Sequence, residues 1–136
     1  MFAGCPITWQ SKLQTEIALS TTESEYIALS TAMREVIPFL NLLKEISGVF
    51  DLPSTKPVFN CKVWEDNESC IRVATSPQFT GHTKHIAIKY HHFRSFVKNG
   101  TISIHSIDTK EQLADILTKP LTEASFSYLR RKLMGW

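Results

Sequence analysis

The period of the apolar positions changes along the chain. "PITWQSK" (residues 6–12) and "TEIALS" (residues 15–20) read as two short β-type runs with a polar break between them. From Thr22 the spacing becomes helical. Tyr26, Leu29, Met33, Val36, Leu40 and Leu43 step by three and four, so they predict one buried stripe on a long helix. Pro38 falls inside that helix and is expected to kink it, and Gly48 is a plausible stop. "LPSTKP" reads as a loop and "VFNCKVW" (residues 58–64) as a strand. Asp66 and Asn67 can then cap a short helix reaching Ala74. After the loop "TSPQFTG", the segment "TKHIAIKYHHFRSFVK" sets Ile86, Tyr90, Phe93 and Val97 at helical spacing. Asn99 and Gly100 make a turn into a second strand, "TISIHSI" (residues 101–107). "KEQLADILTK" predicts a helix ended by Pro120, and "SFSYLRRKLMGW" a last one. Strand, helices and strand between Val58 and Ile107 suit a crossover unit with parallel strands. The expected class is therefore α/β, with α+β as the alternative.

Composition adds bounds rather than a function. The 136 residues suit a single domain, residues 1–136, and 43% hydrophobic content allows a real core. Fifteen Lys and Arg against thirteen Asp and Glu leave a net charge of +2, too small to argue for nucleic-acid binding without a local basic surface. Cys5, Cys61 and Cys70 lack metal-type spacing. Their odd number and the absence of a signal-peptide pattern suggest a reducing, intracellular setting. No apolar run is long enough to cross a bilayer, so no membrane partner is expected.

Three acids stand out, and each has an ordinary explanation. Glu25 lies one turn before Leu29, at the rim of the buried stripe. It could close a capping box with Thr22, although Ser20 and Glu23 offer the same box earlier and would release it. Asp66 ends a strand at a strand-to-helix turn, where open α/β sheets place their sites, but an N-cap explains it too. Asp115 points away from the stripe Leu113, Ile116 and Leu117, so periodicity makes it a solvated acid. Asp108 is better placed as the cap of that helix, with Glu111 as its partner. Separated carboxylates that converge can hold hard divalent cations such as Mg²⁺. His82, His85, His91 and His92 raise zinc, but no cysteine or acid pair stands at ligand spacing.

Three longer stretches carry a resemblance. "WQSKLQTEIALSTTESEYIALSTAMREV", "WEDNESCIRVATSPQFTGHTKHIAIKYHHFR" and "IDTKEQLADILTKPL" closely resemble the ribonuclease H domain of copia-type LTR retrotransposon polyproteins, in the expected order. The combination of S-T-E-x-E-Y, D-N-x-S, T-K-H-I-x-I-x-Y-H and Q-L-A-D-I-L-T-K-P is specific to that family. The resemblance implies a ribonuclease H-like fold, a mixed sheet with flanking helices. It implies that Glu25, Asp66 and Asp115 are catalytic acids that bind two Mg²⁺ ions and cleave the RNA strand of an RNA–DNA hybrid. Asn67, Ser69, Thr83, Lys84, Lys89 and Arg94 are then expected near the hybrid backbone, where polar and cationic groups position phosphates. A solvated basic helix face explains the cations of that set equally well. The upstream reverse transcriptase region of the same polyprotein is the implied protein partner, in a cytoplasmic virus-like particle or the nucleus. With the metals compensating Asp66, Glu65 is expected to face outward.

The departures set further expectations. The family's first aspartate and first two strands would fall upstream of this sequence, so the chain is expected to carry an incomplete, impaired domain. Ala87 stands where the family usually has an acid, and His105 is a doubtful substitute for the family's His loop. The alternatives are a non-catalytic remnant that binds nucleic acid or a partner, and an integrase-type transferase. The T-K-H-I and A-D-I-L-T-K-P motifs argue against the transferase.

Overall fold

The computed structural model describes residues 1, 4–50, 59–76 and 88–136. The chain forms two compact units, one of Ile17–Ser106 and one of Met1–Glu16 with Ile107–Trp136.

In the unit of residues 17–106, the long helix α1 spans Thr21–Val49. Ser20 starts it: its hydroxyl accepts the Glu23 amide, while Glu23 Oε2 accepts the Leu19 amide at 2.7 Å. The box is thus Ser20 with Glu23, and Glu25 takes no part in it. Tyr26, Leu29, Met33 and Leu40 are buried as the stripe predicts, with Val36 packed beside them. Gly48 does not end the helix, which runs through Pro38 and Gly48 and is capped at Phe50 by an N–H bond to the Ile46 carbonyl.

Strand β1 covers Cys61–Glu65 and strand β2 covers Ile102–Ser106. They pair in parallel, with Cys61 opposite Ile102 and Glu65 opposite Ser106, as a crossover connection requires. β1 starts later than expected, since Phe59 and Asn60 are not extended partners, and it runs on to include Glu65. Helix α2, Glu68–Thr75, is capped by Asn67, whose Oδ1 accepts the Cys70 amide at 3.0 Å. A 3-10 turn at Ile88–Tyr90 and helix α3, Arg94–Lys98, replace the single helix predicted there. Tyr90 and Phe93 are buried nonetheless, so the spacing marked the core correctly. The core joins these residues to Ile27, Cys70, Ala74 and Ile102. Phe93 contributes a ring 5.6 Å from that of Tyr26.

Of the two β-type runs before α1, the first lies in the other unit and the second crosses into the unit of residues 17–106, and neither forms a strand: residues 6–14 carry no regular structure, and Cys5 makes only an isolated bridge. Trp9 and Leu13 are exposed there. Alternation describes half-buried positions only where a neighbouring strand and a core exist to use it. A 3-10 turn at Thr109–Glu111 precedes a four-residue helix α4, Asp115–Thr118, in place of the single helix expected over 110–119. Helix α5 spans Glu123–Met134, with Thr122 accepting the Ser125 amide at its start and Gly135 at a positive φ of 83° after its end. All three cysteines are free thiols. No described helix is long and apolar enough to cross a membrane.

Candidate functional site: an acidic cluster at the end of strand β1

Glu65 decides the character of this region. Side chains alternate along a strand, so Cys61, Val63 and Glu65 share the face that meets the core, while Lys62 and Trp64 point away. Glu65 is only 6% exposed and Trp64 is 51% exposed. The expectation that Glu65 faces outward is therefore reversed. Trp64 lies against the ring of its register partner His105 at 5.1 Å, and His105 Nε2 meets the Ser103 hydroxyl at 3.0 Å. These contacts give His105 a place on the outward face of the sheet.

The buried carboxylate of Glu65 accepts the Asn67 amide at 3.1 Å. Burial pushes its pKa above the usual carboxylate range, the Asn67 bond pulls it back, and the charges of Glu25 and Asp66 push it up again. Cys70, fully buried beneath the turn, hydrogen-bonds the same carboxylate. Burial first, and then the charges of Glu65 and Glu25, hold it firmly as a thiol. Glu25 on α1 and Asp66 after β1 thus act on the same two buried groups, although they are distant in sequence. Both are half-buried. Asp66 is not the cap of α2, since Asn67 fills that role.

Asp115 belongs to the other unit. It is buried, 7% exposed, and its carboxylate pairs with Lys119 at 2.9 Å, one turn on. The solvated acid that periodicity predicts is not what forms, because a four-residue helix has too few turns for a stripe to define its outer face. Asp108 does cap the turn after it, accepting the Lys110 amide at 2.8 Å. Glu111, expected as its partner, instead takes Tyr128 Oη and Lys132 Nζ, which lower its pKa.

The remaining residues divide. Ser69 is exposed on α2, and Lys89 is exposed with Nζ 5.0 Å from the centre of the Tyr90 ring. Asn67 is committed to the cap, and the Arg94 guanidinium donates to the Ser76 carbonyl. His91 and His92 bring Nδ1 to α1 hydroxyls, His91 to Tyr26 at 2.7 Å and His92 to Ser30 at 3.4 Å. Thr83, Lys84, His82, His85 and Ala87 lie outside the described residues.

Glu25 and Asp66 are hard oxygen donors, and the excess negative charge around Glu65 is of the kind a cation relieves, so their chemistry fits Mg²⁺. Among the described residues no three His, Cys, Asp or Glu side chains gather into a group able to hold an ion.

No family model matches the chain. No solved structure matches it either. Curated relatives do. The chain is 35% identical over 128 residues to a "Retrovirus-related Pol polyprotein from transposon RE2" of Arabidopsis thaliana, covering 94% of this chain and 8% of the relative. It is 37% identical over 134 residues to the corresponding polyprotein from transposon TNT 1-94 of Nicotiana tabacum, covering 98% of this chain and 9% of that one. A Ty1-DR1 Gag-Pol polyprotein of Saccharomyces cerevisiae is 28% identical over 113 residues, covering 83% of this chain and 6% of its own length. Over nearly its whole length, the chain is thus related to one short stretch of transposon Pol polyproteins, and it spans less than a tenth of the length of the relatives it matches.

Proposed function

We propose that the chain is part of the ribonuclease H region of a copia-type retrotransposon Pol polyprotein, acting on RNA–DNA hybrids. The observation that carries this reading is the acidic end of β1. A glutamate from α1 and an aspartate from the β1–α2 turn crowd one buried carboxylate, at the carboxyl end of a strand in a parallel sheet. The motifs around these residues and the transposon relatives support the same reading.

On this reading Glu25 and Asp66 hold Mg²⁺, and Asp115 is proposed as a catalytic acid on the strength of its motif alone. Bound Mg²⁺ would supply an activated water and stabilisation of the leaving oxygen in phosphodiester hydrolysis. Glu65 keeps the turn in place through its bond to the Asn67 amide. Ser69 and Lys89, being exposed, suit contacts to the hybrid backbone better than Asn67 and Arg94, which the fold already uses. The reverse transcriptase region of the polyprotein is the proposed partner, in a virus-like particle or the nucleus.

The test joins the chain to the upstream stretch of the transposon RE2 polyprotein and supplies an RNA–DNA hybrid. Mg²⁺-dependent cleavage of the RNA strand, lost in Asp66→Asn while hybrid binding persists, is expected. Hybrid binding without cleavage in the parent protein would move the chain to the class of non-catalytic binding modules. Neither binding nor cleavage would sink the reading.

A further inference from the structure

We infer that Glu65 is a positioning residue: its buried carboxylate pins the β1–α2 turn through the Asn67 amide and so sets where Asp66 presents its own carboxylate. The role given to Asp66 rests on the function proposed above. The hydrogen-bond arrangement does not.

An acid at this position demands a reason. Cys61 and Val63 on the same strand face pack against the apolar core, and an apolar side chain at 65 would continue that face without cost. Instead a carboxylate is buried beside the charges of Glu25 and Asp66, the least favourable place for it. What the acid gains is local. Glu65 Oε1 accepts the Asn67 amide at 3.1 Å, and Asn67 Oδ1 accepts the Cys70 amide at 3.0 Å. Asp66 is the one residue between the two ends of the first bond. Its backbone is held from before by the β1 ladder and from after by the capped start of α2. A bond from residue 65 to the amide of residue 67 therefore fixes the peptide on which Asp66 sits. An ångström of misplacement is enough to weaken a preorganised site.

Hydrogen bonding and charge can be separated at this position. Glu65→Gln keeps the reach and the accepting oxygen but removes the charge. Glu65→Leu removes both the charge and the accepting oxygen while keeping an apolar side chain on the core face. Two measurements on the 136-residue chain read the outcome: amide hydrogen exchange at Asn67, and Mn²⁺-induced broadening of the Asp66 resonances, with Mn²⁺ alone as the probe. Glu65→Gln should leave both within about two-fold of the parent, as retained hydrogen bonding requires. Glu65→Leu should speed exchange at Asn67 by about ten-fold and weaken the Mn²⁺ effect at Asp66 by a similar factor. The inference is overturned if Glu65→Gln loses Mn²⁺ response as far as Glu65→Leu does, because charge would then be what matters. It is equally overturned if Glu65→Leu leaves Asn67 exchange unchanged. Asp66→Asn separates this result from the function beneath it. If Asp66→Asn retains the parent's Mn²⁺ response, the metal reading of Asp66 fails, while the Asn67 exchange data still decide whether Glu65 holds the turn.

Discussion

Two acids that open helices, Asp66 before α2 and Asp115 at the start of α4, are handled in opposite ways. At Asp115 the charge is cancelled on the spot, by Lys119 one helical turn away at 2.9 Å. Around Asp66 the charge accumulates: Glu65 is buried next to it and Glu25 adds a third carboxylate from α1. Like charges gathered at a buried acid raise the cost of its ionised form, and a bound cation would lower it. The contrast separates an acid that acts on acidic neighbours from one paired within its own helix.

The largest effect should come from the accumulated side. Glu25→Gln, in the same extended protein used to test Asp66, should lower hybrid cleavage by about 100-fold or more, since even outer-shell partners of a metal cost 10–100-fold when lost. A Glu25→Gln protein that cleaves as fast as the parent would leave Glu25 as a rim residue of the core and break the contrast.

A smaller effect is expected at the turn. Asn67→Ala removes the side-chain cap of α2 and should cost about 1 kcal/mol in chemical denaturation. Asp66→Ala should cost less in stability than Asn67→Ala, because Asp66 is not the cap. The reverse order would return Asp66 to ordinary capping.

On the cancelled side, Lys119→Met should cost no more than about 1 kcal/mol, because Lys119 is 46% exposed and water screens the pair. A loss several times larger would mean that Asp115 is left as an uncompensated buried charge, with less solvent relief than its partner's exposure implies.

Acidity should distinguish the regions by sign, with the smallest amplitude. In metal-free buffer, the raised pKa of Glu65 means its native state holds the proton more tightly than the unfolded chain. Its contribution is present below the ordinary Glu value of about 4.3 and is lost as pH rises through the native pKa. Glu111 is lowered by Lys132 and Tyr128, so its contribution is present above that value and is lost as pH falls through the native pKa. Because the Glu111 side chain is 35% exposed and water reaches the pair, its share should be slight. Denaturation of Glu65→Gln and Glu111→Gln against pH should show slopes altered in opposite directions. A change of the same sign in both variants would contradict the assignment.

The sequence carried some of this arrangement plainly. Ser20 and Glu23 are spaced as a capping box, an alternative that would release Glu25, and that box is the one that forms. The crossover between two β runs implied parallel pairing, and β1 and β2 pair that way. Other features were hidden by competing signals. Glu65 stands at even spacing from Cys61 and Val63, so its inward direction is written in the alternation, but the resemblance, with metals compensating Asp66, implied the outward direction. Ile7 and Trp9 look like strand residues, yet alternation without a pairing neighbour does not make a strand. The ten residues around Asp115 read as one helix, where a 3-10 turn and a four-residue helix form instead. Local capping chemistry was legible because it depends on residues three apart. Burial of single acids was not, because it depends on which elements persist.

The most direct measurement is a Mg²⁺ titration of the chain followed by NMR of its side-chain carboxyl carbons. The account predicts that Glu25 and Asp66 shift together on one binding curve, that Glu65 follows with a smaller change, and that Glu111, held by Lys132 and Tyr128, stays still. Resonances of Glu25 and Asp66 that stay fixed through the millimolar range, or that move no more than Glu111, would contradict it.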